Sequence, residues 1–313
     1  MTSGKVIGRT AVLAIDAGGT FFKSALVMSG GITVADSFQS TSVQSSGTKE
    51  DIIGAYEKIF TSSLKFASRE GIDICGIGVS TPGPFDYTCG MSLMEHKFKS
   101  IKNIPLPDKF EKLGCFARRL PVIFQQDVHS FLLGEHWAGA LKGIDNAAAI
   151  TLGTGLGFGL MRDGAIVDNG KGGPCIPIFN LPYGNGILED RISRRGLISQ
   201  YCKYSWNAGS DIDVKEIARR AREDKDPHAL KVFRDTGRIM ADELSGIFKT
   251  HGVGNIVFGG QISMSYDLFG PQFRTRLAEM GLQINAARGE NIAFSTLAGV
   301  AKKFFDMEST KTS

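Results

Sequence analysis

Residues 14–27, "AIDAGGTFFKSALV", decide how this chain is to be read. The apolar run that begins at Ala11 ends at Asp16 as a buried strand, "AGGT" makes a sharp turn, and "FFKSALV" resumes as a second strand. The spacing is that of a hairpin. The composition is that of a cradle for an anion, because glycine lets backbone N–H groups approach a ligand without a Cβ in the way and Thr20 adds a hydroxyl donor.

Outward from that hairpin, residues 11–15, 21–28 and 32–38 read as three successive strands. Ile52, Tyr56, Ile59, Phe60 and Leu64 then recur at helical spacing, with Thr48 and Asp51 at capping-box distance before them and Gly71 as a stop. "ICGIGVS" (74–80) is a short buried strand ending at "TPGP", and "PVIFQQD" (121–127) is another, followed by a helix. A second beginning follows. "AAAITL" (147–152) runs into "GTGLGFG" and the hairpin "LMRDGAIV", whose Asp163–Gly164 is a strong turn pair. An amphipathic helix around 229–252, the strand "NIVF" (255–258), the turn "GGQIS" and a helix near 295–306 complete the pattern. "DAGGT" (16–20) and "TLGTG" (151–155) thus open two similar halves, which predicts two α/β lobes facing each other across a ligand cleft.

The second turn carries Gly153, Gly155, Gly157 and Gly159 with Thr154. It is neither a GxxxxGK[ST] loop nor a dinucleotide GxGxxG, since a strand rather than a helix comes next. With "VFGGQIS" (257–263) there are three glycine turns at strand ends, enough to hold the triphosphate and the adenosine of ATP. Transfer of a phosphoryl group to a hydroxyl also needs a carboxylate to take the hydroxyl proton. Asp127, at a strand-to-helix junction, is the candidate, its other reading being a helix N-cap. Asp16 would serve the Mg²⁺ side through water.

Bulk properties narrow the classes. The chain has 313 residues, 42% hydrophobic and 22% charged, with a formal net charge of +4, as expected of an ordinary globular protein and not of a nucleic-acid binder. The densest basic stretch, "RISRR" (191–195), reads as a solvated helix face. No run approaches a membrane span or a signal peptide, and five cysteines without CxxC spacing suit free thiols in a reducing cytoplasm.

The chain resembles the ROK family, the sugar kinases and sugar-responsive repressors of the actin-like ATPase fold (a duplicated ribonuclease H-like α/β fold), from about residue 11 to 305. The resemblance rests on "AIDAGGTFFKSALV", "GVSTPGPFD" (78–86), "NIPLPDKFEKLGCFARRLPVIFQQD" (103–127), "ITLGTGLGFGLMRDGAIV" (150–167), "GILEDRISRRGL" (186–197), "IVFGGQIS" and "STLAGVAKKF". It implies an N-terminal lobe over 10–126 with the C-terminal helix 295–310, a second lobe over 127–294, and a homodimer. It implies ATP and Mg²⁺ with a hexose or related sugar. Asp127 would be the general base; Asp16, Gly18, Gly19, Thr20, Lys23, Thr154, Gly155 and Gly157 would lie at the phosphates, and Gly259 and Gly260 beside the adenosine. Glu189, with Gly83, Asn103 and Gln126, would meet the sugar. A non-catalytic sensor or regulator is the alternative, although the repressors carry a DNA-binding segment ahead of the part matched here.

One region departs from the family pattern. Where family members carry Glu-x-Gly-His and then Cys-x-Cys-Gly-x-x-Gly-Cys for a structural zinc, this chain reads "GKGGPCIPIFNLPYGNGILED" (170–190). Cys175 alone remains, so no structural zinc is expected, and Asn180 and Asn185 are left to replace the lost sugar contacts. The family's Asn-Asp is Gln126–Asp127 here; His129 and His136, off the helical face of Asp127, are read as non-catalytic.

Overall fold

The computed structural model describes residues 9–95, 97–113, 120–205, 209 and 211–311. In chain order the first unit contains β1 (Arg9–Ala17), β2 (Phe21–Met28), β3 (Ile32–Thr33), β4 (Gln39–Ser42), α1 (Lys49–Glu70), β5 (Ile72–Thr81), β6 (Phe85–Asp86), β7 (Met91–Ser92), α2 (Leu106–Phe110), β8 (Val122–Gln126) and α3 (Asp127–Ala138). Then come β9 (Ala147–Leu152), β10 (Leu156–Arg162), β11 (Ala165–Val167), β12 (Pro182–Tyr183), β13 (Gly186–Ile187), α4 (Glu189–Ile192), α5 (Arg194–Tyr204), α6 (Val214–Arg222), α7 (Pro227–His251), β14 (Asn255–Gly259), α8 (Tyr266–Glu279) and β15 (Asn285–Arg288), all of the second unit. The last helix, α9 (Ile292–Lys311), returns to the first unit, as does the short segment Asp168–Gly173. The division between the units follows Ala138, so the 126/127 junction and all of α3 lie within the first.

Each unit is built on the same sheet. In the first the order is β3-β2-β1-β5-β8, with β1 antiparallel to β2 and parallel to β5, and β5 parallel to β8; β4 also pairs with β2. In the second the order is β11-β10-β9-β14-β15, again an antiparallel hairpin continued by two parallel strands. The duplication visible in the two glycine turns therefore extends to the connectivity.

Local chemistry explains the elements. Thr48 caps α1 in a reciprocal capping box with Asp51, and Gly71 ends the helix at φ 65°. Asp163 and Gly164, at φ 49° and 74°, form the left-handed turn between β10 and β11. The expected third strand over 32–38 is shorter than read: β3 ends at Thr33, Ser37 turns back to the Val34 carbonyl, and Asp36 at φ 59° breaks the extended backbone before β4.

Strand β1 is buried on both faces, and its alternation sorts the core of the first unit. Leu13 and Ile15 pack with Ile52, Tyr56 and Phe60 of α1. Val12 and Ala14 pack with Leu297, Val300, Ala301 and Phe304 of α9. Helix α9 in turn crosses α3 at backbone contact: a Cβ on Gly134 would overlap the Ser295 carbonyl oxygen, and one on Gly299 the Ser130 carbonyl oxygen. Ser295 Oγ donates to the buried Glu135 at 2.5 Å beside this crossing. The crossing fixes α3, and with it Asp127 at its first residue.

Gly134→Ala should lower stability by roughly 1–3 kcal/mol, because the added methyl must push two helices apart. Gly54→Ala, in α1 with nothing within 4 Å of the new Cβ, should raise it by about 0.5–1 kcal/mol. Urea denaturation of both variants measures the contrast; equal effects would contradict the close crossing.

Candidate functional site

In the first unit the site is built at the carboxyl ends of three neighbouring strands. The β1–β2 turn places Asp16 opposite Lys23 on β2, and β1 pairs Asp16 with Ser80 on β5. The turn is tight: Gly18 N–H donates to the Asp16 carbonyl at 3.1 Å, and a Cβ on Gly18 would lie 2.8 Å from the Phe21 carbonyl oxygen. Thr20 is exposed, and its carbonyl accepts from Val43 N–H at 3.0 Å. Asp127 begins α3 where β8 ends, and its Oδ1 accepts from Val128 N–H at 2.7 Å. The helix start favours a charged carboxylate there.

Both carboxyls are partly accessible, yet protein surrounds them closely enough to strip much of their hydration. Burial pushes Asp16 up to about 6, Lys23 opposes that, and the charge of Asp127 adds to it. Burial raises Asp127 too, while the Val128 N–H and Lys97 pull it back. The Val128 N–H and Lys97 are the groups that favour the charged form of Asp127 against its burial. A carboxylate at a helix start, partly open to solvent, is suited to accept a proton.

The second unit brings its two glycine turns side by side. Gly259 pairs with Thr151 across β14 and β9, and Gly260, at φ 79°, lies against Leu152 so closely that a Cβ would overlap the Leu152 carbonyl. Thr154 and Gly155 are exposed at the β9–β10 turn, while Gly157 sits within β10 opposite Thr151. Glu189 reaches this turn from the start of α4. Its Oε2 accepts from Leu156 N–H at 2.9 Å and lies 3.0 Å from where a Gly155 Cβ would be, so one oxygen already braces the turn.

Other expected residues are spread more widely. Gly83 faces the Tyr87 hydroxyl, and Tyr87, which donates to the Thr81 carbonyl at 3.3 Å, is raised well above its ordinary value by burial and by Asp127. Gln126 is only 8% exposed and its Oε1 has no hydrogen-bond partner. Asn103 is exposed at φ 59°, the geometry of a turn. Asn180 and Asn185 are exposed, in a short 3-10 turn and at the β12–β13 turn. His129 is buried, with Nε2 unpartnered and its basicity lowered to about 4 by burial. Two residues near the carboxylates were not singled out by sequence, Tyr87 and Lys97. Tyr87 carried a weak signal as an aromatic just after the glycine turn; Lys97 looked like one more lysine in a basic run.

Among the described residues no group of three or more His, Cys, Asp or Glu is arranged to hold a metal ion, and no helix is long and apolar enough to cross a membrane. Cys75, Cys89, Cys175 and Cys202 are in no disulfide; Cys115, with residues 114–119 of the stretch 103–127, lies outside the described residues.

Comparison with known proteins gives consistent results. A model described as ROK family matches residues 12–293. A glucokinase of Thermotoga maritima is 30% identical over 281 residues, covering 83% of this chain and 85% of its own length. A solved ROK family glucokinase of Streptomyces griseus, in complex with glucose and AMPPNP, superposes with a TM-score of 0.76 at 24% identity, covering 94% of this chain and 98% of its own. A ROK family transcriptional regulator, a homolog of the E. coli MLC protein, superposes with a TM-score of 0.80 at 19% identity over 94% of this chain and 78% of its own.

The raised Asp16 has a measurable consequence. A carboxyl that binds its proton more tightly in the folded chain favours folding while protonated. Without nucleotide or divalent cation, stability should therefore fall as pH rises from the ordinary value of 3.8 through about 6, then level off. Urea titrations of wild type and Asp16→Asn should diverge across that window, the variant being the more stable at pH 7. Parallel curves would show an unperturbed carboxyl.

Proposed function

The chain belongs to the ROK family, and we propose that it is an ATP-dependent sugar kinase, moving the terminal phosphate of ATP to a hydroxyl of a hexose or related sugar. The duplicated α/β architecture is that of the actin-like ATPases. The observation that carries the reading is the placement of Asp127: first residue of a helix, partly accessible, beside a second carboxylate and a glycine turn.

In this reading Asp127 takes the proton of the sugar hydroxyl as that oxygen bonds to the terminal phosphorus. The bond from phosphorus to the bridging oxygen breaks, and its electron pair leaves with ADP. Gly18, Gly19 and Thr20 present backbone and hydroxyl donors suited to phosphates, Lys23 adds positive charge, and the Thr154, Gly155 and Gly157 turn offers donors of the same kind. Gly259 and Gly260 border the adenosine, where a side chain on Gly260 would collide with Leu152. The carboxylate of Asp16, a hard oxygen donor, fits Mg²⁺ and would hold it through water. When bound, that ion neutralises phosphate charge. The unpartnered Oε1 of Gln126 is an acceptor suited to a sugar hydroxyl, and Gly83, Asn103 and the remaining oxygen of Glu189 are the other proposed sugar contacts.

A coupled ADP-release assay over hexoses, N-acetylhexosamines and polyols tests the proposal. At least one should be phosphorylated, and Asp127→Asn, which keeps an N-cap acceptor, should lower kcat by about 10²–10⁴-fold with ATP affinity retained. No turnover with any sugar while ATP still binds would favour a sensor; unaltered turnover in the variant would remove Asp127 from the mechanism.

A further inference from the structure

The stretch "EHKFKSIK" (95–102) carries three lysines, and the structure gives them different places. Lys102 pairs with Glu95, and Lys99 is exposed. Lys97 instead lies over the first glycine turn: its Cδ and Cε are 3.6 and 3.7 Å from where a Cβ on Gly19 would be. The ammonium of Lys97 has no carboxylate in ion-pair contact among the described residues. Its position is held by the backbone. Phe98 N–H donates to the Ser45 carbonyl at 2.7 Å, Ser45 N–H donates to the Gly19 carbonyl at 3.1 Å, and Ser100 Oγ donates to the Gly47 carbonyl at 2.7 Å. Phe98 itself is 2% exposed, with its ring tilted against that of Phe22 at 5.9 Å and a left-handed φ of 54°. The lysine is thus tied, through two hydrogen bonds, to the turn it covers.

We propose that Lys97 is a substrate-contacting residue of the transfer reaction, its ammonium binding the terminal phosphate of ATP between the Gly18–Thr20 turn and Asp127. This assignment rests on the kinase reading and adds to it a cation that neither composition nor spacing indicated. Lys23 faces Asp16 across the β1–β2 pair, so its charge is already engaged there. Lys97 lies against Gly19 of the turn, close enough for its charge to be felt at Asp127. A cation at that place attracts the oxygens of the phosphoryl group as negative charge spreads over them in transfer. A lysine suits the role because a compact ammonium on a flexible stem can follow the phosphorus from ATP to the sugar oxygen.

The discriminating measurement is the equilibrium affinity of the full chain, with Mg²⁺ and without sugar, for ATP and for ADP. Lys97→Met should weaken ATP by about 10-fold or more, the loss of a hydrogen bond to a charged group, and leave ADP within twofold. Lys97→Arg should restore most of the ATP affinity. In the coupled assay the Met variant should lose kcat on the order of 10²-fold. Unchanged ATP affinity, or equal weakening of both nucleotides, would overturn the assignment while leaving the kinase reading intact. A wild type that binds neither nucleotide would overturn both.

Discussion

Two carboxylates brought together in poorly hydrated surroundings set the terms for the first unit. Asp16 at the end of β1 and Asp127 at the start of α3 repel one another, and burial penalises the charge on each. A fold gains nothing in stability from such a pair. It persists because the scaffold over-determines it: β5 locks β1 to β8 in register, and the glycine-lined crossing of α3 with α9 leaves the helix start no freedom to retreat. Lysines 23 and 97 and the Val128 N–H supply the compensating charge. Removing hydration from the lysines and the N–H strengthens the attraction they exert on an anion brought beside them.

The second unit repeats the sheet but not the acids. Its strand order and hairpin are those of the first, and its turn carries Thr154 and Gly155 where the first carries Gly19 and Thr20. The position at the end of β9 that answers to Asp16 is occupied by an uncharged Thr151–Leu152, and the acid near its turn, Glu189, arrives from α4 and spends an oxygen on Leu156 N–H. Asp16, Asp127 and the two lysines thus belong to the first unit, and the paired glycine turns at Thr151–Gly155 and Gly259–Gly260 belong to the second. By the family resemblance, "GKGGPCIPIFNLPYGNGILED" (170–190) stands where relatives carry the zinc-binding stretch and its sugar contacts, and we propose that this chain differs from them in the sugar it accepts more than in the reaction.

What could be read in the sequence was whatever short-range chemistry dictates. The Thr48–Asp51 box, the Gly71 stop, the Asp163–Gly164 turn and the strand 147–152 depend on neighbours a few residues apart and appear where the pattern puts them. The strand over 32–38 failed because apolar Val34 and Phe38 fit the alternation while Asp36 adopts a left-handed φ that alternation does not encode. Lys97 was not legible because its relation to Gly19 passes through Ser45, and a contact that spans 78 residues leaves no local trace. The same holds for Glu189, whose hold on Leu156 crosses 33 residues. Its acidity at a helix start was visible; the turn it braces was not.

The most direct measurement follows the fate of the terminal phosphorus. With ATP labelled at that atom, Mg²⁺ and an accepted sugar, the label should appear in a phosphate monoester of the sugar, one for each ADP formed, with little inorganic phosphate. Label recovered as inorganic phosphate at the rate of ADP formation would contradict a site that hands the group to an alcohol.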